Sequence, residues 1–199
     1  MKRVLLLPLL LLLLIGCSPV VTFDRPQPAG VDSLTKIPKK LIGKYISNDG
    51  SAELVIDPKS MIIRYDYEVK IPKDSVNWYD MSPEEKAASR IEKGWVIQHI
   101  LDSDTLFQFS EGNVLKKFKG YYILNSLIRE NAWFVQKMKL QKGMLTIGEI
   151  STEAELDALE RVKESPIDTA TYNISFTRKQ FQSYMKSGFS KVDTFKRVK

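Results

Sequence analysis

Apolar and polar residues alternate in short runs along most of this chain, and the runs are separated by turn residues. Met61 to Val69 is the clearest: Met61, Ile63, Tyr65, Tyr67 and Val69 share one face, Arg64, Asp66 and Glu68 the other, with Ile62 out of pattern. A period of two with one polar face predicts an antiparallel strand. Similar runs predict strands at Leu41–Ser47, Ala52–Ile56, Trp95–Leu101, Thr105–Phe109, Val114–Phe118, Tyr121–Asn125, Ala132–Leu140, Met144–Ile150 and Thr171–Thr177, with Phe189–Val198 extended. Asn48-Asp49-Gly50, Asp57-Pro58-Lys59-Ser60, Asp102-Ser103-Asp104, Glu111-Gly112-Asn113 and Gln141-Lys142-Gly143 are the expected turns, each rich in residues that tolerate or stabilise tight backbone reversals. Such spacing predicts an antiparallel meander that curls or closes.

Three segments break this rhythm and predict peripheral helices. Ser82-Pro83-Glu84-Glu85 opens the first with a capping box and a proline at the first helical position, and Gly94 closes it, giving 83–93. Thr152 and Glu155 form a second capping box for 152–163, with Leu156, Leu159 and Val162 as its apolar stripe. Thr177 and Gln180 form a third for 178–187, docked by Phe181, Tyr184 and Met185 and ended by Gly188. The fold class expected is mainly β (α+β): an antiparallel curled sheet or barrel with three helices around it, one domain over 37–199.

The first residues follow other rules. Lys2 and Arg3 precede a twelve-residue apolar run, Val4 to Ile15, too short to cross a hydrocarbon core of about 30 Å as a helix. Positive flank, short apolar stretch and small residue describe an export signal. Its ending, Leu14-Ile15-Gly16-Cys17, resembles the lipobox of bacterial lipoproteins. That resemblance implies cleavage before Cys17, a diacylglycerol thioether on its sulfur and acylation of the new amine, hence stable anchoring by several chains. Residues 1–16 are then a signal peptide, and 17–36, with Pro19, Pro26, Pro28 and Gly30, a lipidated flexible tether. Ser18-Pro19 at the following positions, with no Asp in second place and no acidic run, points to an outer membrane facing the periplasm. Membrane lipids are the partner this anchor implies.

Composition narrows the chemistry. The only cysteine is Cys17, so the lipid would take the one thiol and leave none for a disulfide, a nucleophile or a metal. The formal charge of +6 becomes +4 once Lys2 and Arg3 are removed, a mild cationic bias towards anionic head groups. His99 is the one histidine, on a strand face with Trp95, Ile97 and Leu101; without a Gly-x-Ser-x-Gly elbow it supports no serine triad, and an apolar strand predicts a packed or rim imidazole. Asp102 and Asp104 offer too few oxygens for a hard cation. Glu153, Glu155, Asp157 and Glu160 are expected to be solvated acids complementing a helix dipole. Lys116, Lys117 and Lys119 beside Phe118, Tyr121 and Tyr122 could meet an anionic glycan or head group; an exported protein has no call for nucleic acid. No phosphate loop, dinucleotide fingerprint or zinc signature occurs. No catalytic residue, metal ligand or cofactor is therefore expected.

Lys39-Lys40-Leu41-Ile42-Gly43-Lys44-Tyr45-Ile46-Ser47-Asn48 and Lys116-Lys117-Phe118-Lys119-Gly120-Tyr121-Tyr122-Ile123-Leu124-Asn125 agree at six of ten positions. They are either the traces of two duplicated half-sheets or two instances of a common strand opening. Gly43-Lys44-Tyr45 also resembles the Gly-x-Trp opening strand of lipocalin-like barrels, with Tyr for Trp, which would imply an apolar ligand cavity. Two functions fit: a non-enzymatic envelope lipoprotein that binds an envelope protein or polymer through its sheet surface or barrel mouth, and a lipocalin-like carrier of a small apolar ligand.

Overall fold

A computed structural model describes residues 20–77, 79–110, 112–164 and 166–198. Cys17 and the signal peptide expected at residues 1–16 lie outside the described residues. Thirteen strands form one sheet: β1 Thr22–Phe23, β2 Ser33–Leu34, β3 Gly43–Ser47, β4 Ala52–Ile56, β5 Ser60–Pro72, β6 Ser89–Glu92, β7 Trp95–Gln108, β8 Asn113–Phe118, β9 Tyr121–Arg129, β10 Ala132–Gln141, β11 Met144–Glu149, β12 Asn173–Ile174 and β13 Lys191–Arg197. The helices are α1 Pro83–Ala87, α2 Thr152–Lys163 and α3 Arg178–Tyr184.

The main path runs β2-β8-β9-β10-β11-β13-β3-β4-β5-β7-β6 with antiparallel neighbours, while β1 joins β10 antiparallel and β12 parallel. The fold is thus mainly antiparallel β, as the alternation predicts. The sheet curls without closing. Its concave face is filled by Tyr45, Leu54, Met61, Phe107, Tyr122, Leu124, Met138, Leu145 and Phe195, among others. The opposite face of β8–β10 is covered by a second core, in which Phe23, Phe176, Phe181, Tyr184 and Phe189 pack edge to face or tilted. The alternation in β9 explains both: Tyr122 and Leu124 face the first core, Ile123 the second.

The similar decapeptides begin two three-stranded meanders, β3-β4-β5 and β9-β10-β11, which β13 joins. Tyr45 and Tyr122 both face the concave core. Their lead-ins differ: Lys39–Leu41 is a turn of 3-10 helix, whereas Lys116–Phe118 ends β8.

Several boundaries correct the sequence expectations. The ordered domain begins well before residue 37, because Val21 and Phe23 are buried in the second core. Residues 26–28 are held too. Asn125 accepts from the Gln27 N–H (2.6 Å) and donates to its C=O (3.0 Å), and Lys116 Nζ donates to the carbonyls of Pro26 and Pro28 (both 2.9 Å). The flexible tether expected over 17–36 is therefore not found from Val21 onward, and residues 17–19 lie outside the described residues.

The first helix stops at Ala87, not 93. Its capping box forms as expected, but it buries no residue and has little to prolong it. Ser89–Glu92 pairs with β7 instead, and Lys93-Gly94, both at positive φ, make the hairpin turn. Asp102-Ser103-Asp104 is no turn: β7 is continuous there because Arg64 and its neighbours in β5 pair across it. The strand expected at Thr171–Thr177 contracts to Asn173–Ile174, and the third helix ends at Tyr184. There the chain turns so tightly that a Cβ on Gly188 would lie 2.3 Å from the Tyr184 ring.

Candidate binding cleft and arm

β5 and β7 are far longer than their neighbours β3 and β4. Their inner ends, Met61, Ile63 and Phe107, belong to the core. Beyond Tyr65 both strands leave the body as a ribbon. β6 and α1 complete this three-stranded arm. Along it burial fails although alternation continues: Tyr67, Ile91, Trp95 and Leu101 are exposed, Leu101 by 71%. Among the arm's described residues Val96 and Ile97 alone are buried, where β6 adds its short pairing. Polar pairs cross the ribbon: Arg90 grips Glu68 through two bonds (2.6 and 3.0 Å), and His99 Nε2 meets Asp66 Oδ1 at 2.7 Å.

At the arm's root and the mouth of the curl, cavities gather around a single side chain. Tyr65 lines three of them. A groove of about 670 Å³ on the convex side lies between Ile46 and Glu53 and the arm residues Arg64, Asp66, Leu101 and Ser103. On the concave side, one hollow of about 430 Å³ involves Asp49, Ile63, Asp193 and Phe195. A second, of about 350 Å³, involves Asp104, Phe134, Gln136, Glu149, Lys191 and Asp193. Burial pushes the Tyr65 phenol upward, and the negative charges of Asp104, Asp193, Glu149 and Asp102 push it further the same way. Lys191 is held by Glu149 at 2.8 Å, which raises its own pKa, and Gln136 donates to the other oxygen of Glu149 at 2.8 Å. The mouth is therefore an apolar floor with an acidic rim, suited to a ligand with cations around an apolar centre.

Residues singled out in the sequence scatter. Asp102 and Asp104 stand in this rim, as strand residues. His99 is not packed in a buried strand: its side chain is 43% exposed on the arm. The expected cationic patch dissolves, since Lys116 is buried and already engaged, with burial drawing its pKa down; Lys117 and Lys119 remain exposed.

Glu155 is the largest departure. Far from solvated, it is 3% exposed. It accepts from the Tyr184 hydroxyl, the Phe189 N–H (2.8 Å), the Ser190 N–H and Oγ (2.7 and 2.6 Å) and the Ser151 N–H (3.0 Å). Burial alone would raise its pKa, but the bonds from Ser190, Tyr184 and Ser151 outweigh it and hold the carboxyl below the ordinary range. The N-cap of α2 is Ser151, one residue earlier than expected. Lys137, over the Phe189 ring and bound to the carbonyls of Met185 and Gly188, supplies a nearby positive charge. With every oxygen engaged, this carboxylate ties α2 to the α3–β13 corner. Asp157 stays exposed, Glu160 accepts the Ile167 N–H (3.1 Å), and the Glu153 side chain lies outside the described residues.

Among the described residues no group of three His, Cys, Asp or Glu is placed to hold a metal ion, and no helix is long and apolar enough to cross a membrane. No family model, curated protein or solved structure matches this chain.

Proposed function

We propose that this chain is a lipoprotein of the bacterial envelope, anchored through acylated Cys17 in the outer membrane facing the periplasm, with a binding role rather than a catalytic one. The observation that carries the proposal is Leu14-Ile15-Gly16-Cys17 at the end of a short apolar run with a positive flank, and Val21 and Phe23 are buried soon after it. Four residue steps from Cys17 reach at most ~14 Å, so acylation would hold the body close against the head groups. The arm and the acidic mouth are the surfaces left for an envelope protein. The packed concave face argues against the lipocalin-like carrier, since it leaves the mouth hollows as the space for a small apolar ligand.

The test is Cys17→Ala in the native cell, followed by membrane fractionation and labelling with a palmitate analogue. Loss of label, with release of the protein or accumulation of uncleaved precursor, is expected. A Cys17→Ala chain that is still cleaved and membrane-bound would refute the anchor.

A further inference from the structure

The curl stays open between β7 and β8. Among the described residues, β6 is the strand that flanks β7 on its outer side, and it covers only Trp95–Gln98. The His99 N–H, next along, donates outward to the Ala88 carbonyl at 2.9 Å. Strand alternation turns the N–H and C=O of Leu101 and Ser103 the same way. Asp102 Oδ1 accepts the Ser103 N–H at 2.7 Å, a side chain standing in for a neighbouring strand.

Natural sheets blunt such edges with charged side chains, lysine above all, with proline, bulges or very short strands. The other edge of the arm is treated so: β6 is four residues long, with Arg90 and Glu92, and runs into Lys93. Ile100–Thr105 carries no lysine, arginine or proline, and its only charges are Asp102 and Asp104, which bar an acidic strand and favour a basic one. Its side chains sort by face. Ile100, Asp102 and Asp104 lie on the side of Tyr65 and Tyr67, and His99, Leu101 and Ser103 on the side of Arg64 and Asp66. From Arg64 to Asp104 there are nine acids against six bases, opposite in sign to the whole chain at +6.

We infer that the outer edge of β7 from Ile100 to Thr105 receives an extended segment of a partner protein as an added antiparallel strand, with Lys or Arg at alternate positions beside Asp102 and Asp104 and apolar residues between them beside Leu101. Added strands gain affinity from main-chain bonds and specificity from alternate side chains. A second copy of this chain is the wrong occupant, because antiparallel pairing of two such edges sets Asp102 and Asp104 of one against those of the other. The inference deepens the proposed binding role by naming a class of partner, but does not depend on the lipid.

The test uses the full chain purified in detergent and a fluorescent peptide, acetyl-Thr-Lys-Val-Lys-Val-Lys-Thr-amide, titrated by anisotropy. Saturable one-to-one binding is expected. Leu101→Pro removes an outward N–H and leaves the ladder to β5 in place; it should weaken binding at least tenfold. N-methylation of alternate peptide nitrogens should do the same with no change to the protein. Asp102→Asn with Asp104→Asn should weaken binding and flatten its salt dependence. Equal affinity for the N-methylated peptide and for Leu101→Pro would mean attraction by charge alone and would overturn the edge. So would no binding at millimolar peptide, or equal binding when Glu replaces Lys. Failure here leaves the Cys17 fractionation result untouched, and the reverse also holds.

Discussion

β7 spends its two ends in different surroundings. At its inner end Phe107 is 1% exposed and meets Phe109 edge to face at 5.2 Å. Six residues earlier, on the same strand and against the same partner β5, Leu101 is 71% exposed. Alternation is unbroken along the outer end, whereas the inner end carries a bulge where Met61 and Ile62 face Phe107 and Thr105. Periodicity therefore reports that a segment is a strand; what covers its faces depends on how many other elements reach that far. β3, β4, β9, β10 and β11 enclose the inner end, and nothing comparable accompanies the outer one.

This contrast can be broken by mutation, beginning where the effect is largest. Phe107→Ala should cost about 3–5 kcal/mol in chemical denaturation, as for large-to-small changes in packed cores. Next comes Glu155→Gln, in which an amide cannot accept the full set of donors; a loss of roughly 2–4 kcal/mol is expected, because buried donors are left unsatisfied. A cycle with Tyr184→Phe should show coupling, since the two groups share a bond. The pH dependence sharpens this point. The carboxyl pKa is lower folded than unfolded, so its stabilisation is fully present above the unfolded value of about 4.3 and is lost as pH falls through the lower folded value. The gap between wild type and Glu155→Gln in urea midpoint should be constant near neutrality and shrink below about pH 4. A gap that widened on acidification would contradict the hydrogen-bonded carboxylate.

On the arm the effects should be small. His99→Gln removes an exposed contact with Asp66 and should move stability by no more than about 0.5 kcal/mol. Leu101→Ala should be neutral in denaturation, the counterpart to Phe107→Ala on the same strand. If Leu101→Ala proved as costly as Phe107→Ala, the arm would be folded against the body and not free of it.

How much of this could be read from the chain follows the same division. Strands with local turns were legible: Asn48-Asp49-Gly50 and Gln141-Lys142-Gly143 do reverse the chain between β3 and β4 and between β10 and β11, and the boxes at Ser82 and Thr177 do cap helices. What failed depended on distant partners. Asp102-Ser103-Asp104 has the composition of a turn, but β5 pairs through it. Glu155 looks like any first-turn acid until the α3–β13 corner, more than thirty residues on, brings its donors. The early domain start had a local sign, the run Val20-Val21-Thr22-Phe23, which reads as a strand once the prolines after it are set aside. The acidic mouth had none, since Tyr65, Asp104, Glu149 and Asp193 come from four strands.

The place of β13 bears on the order of events as the chain folds. The strand that joins β11 to β3 follows every other strand in sequence. Each meander can form from neighbours in sequence, but the sheet cannot run from one to the other until Lys191–Arg197 is free to enter between them. Contacts that span so much chain are slow to close. A chain emerging from the ribosome would thus wait with its two half-sheets unpaired at the edges that β13 later fills, and a premature stop before residue 191 would leave it so.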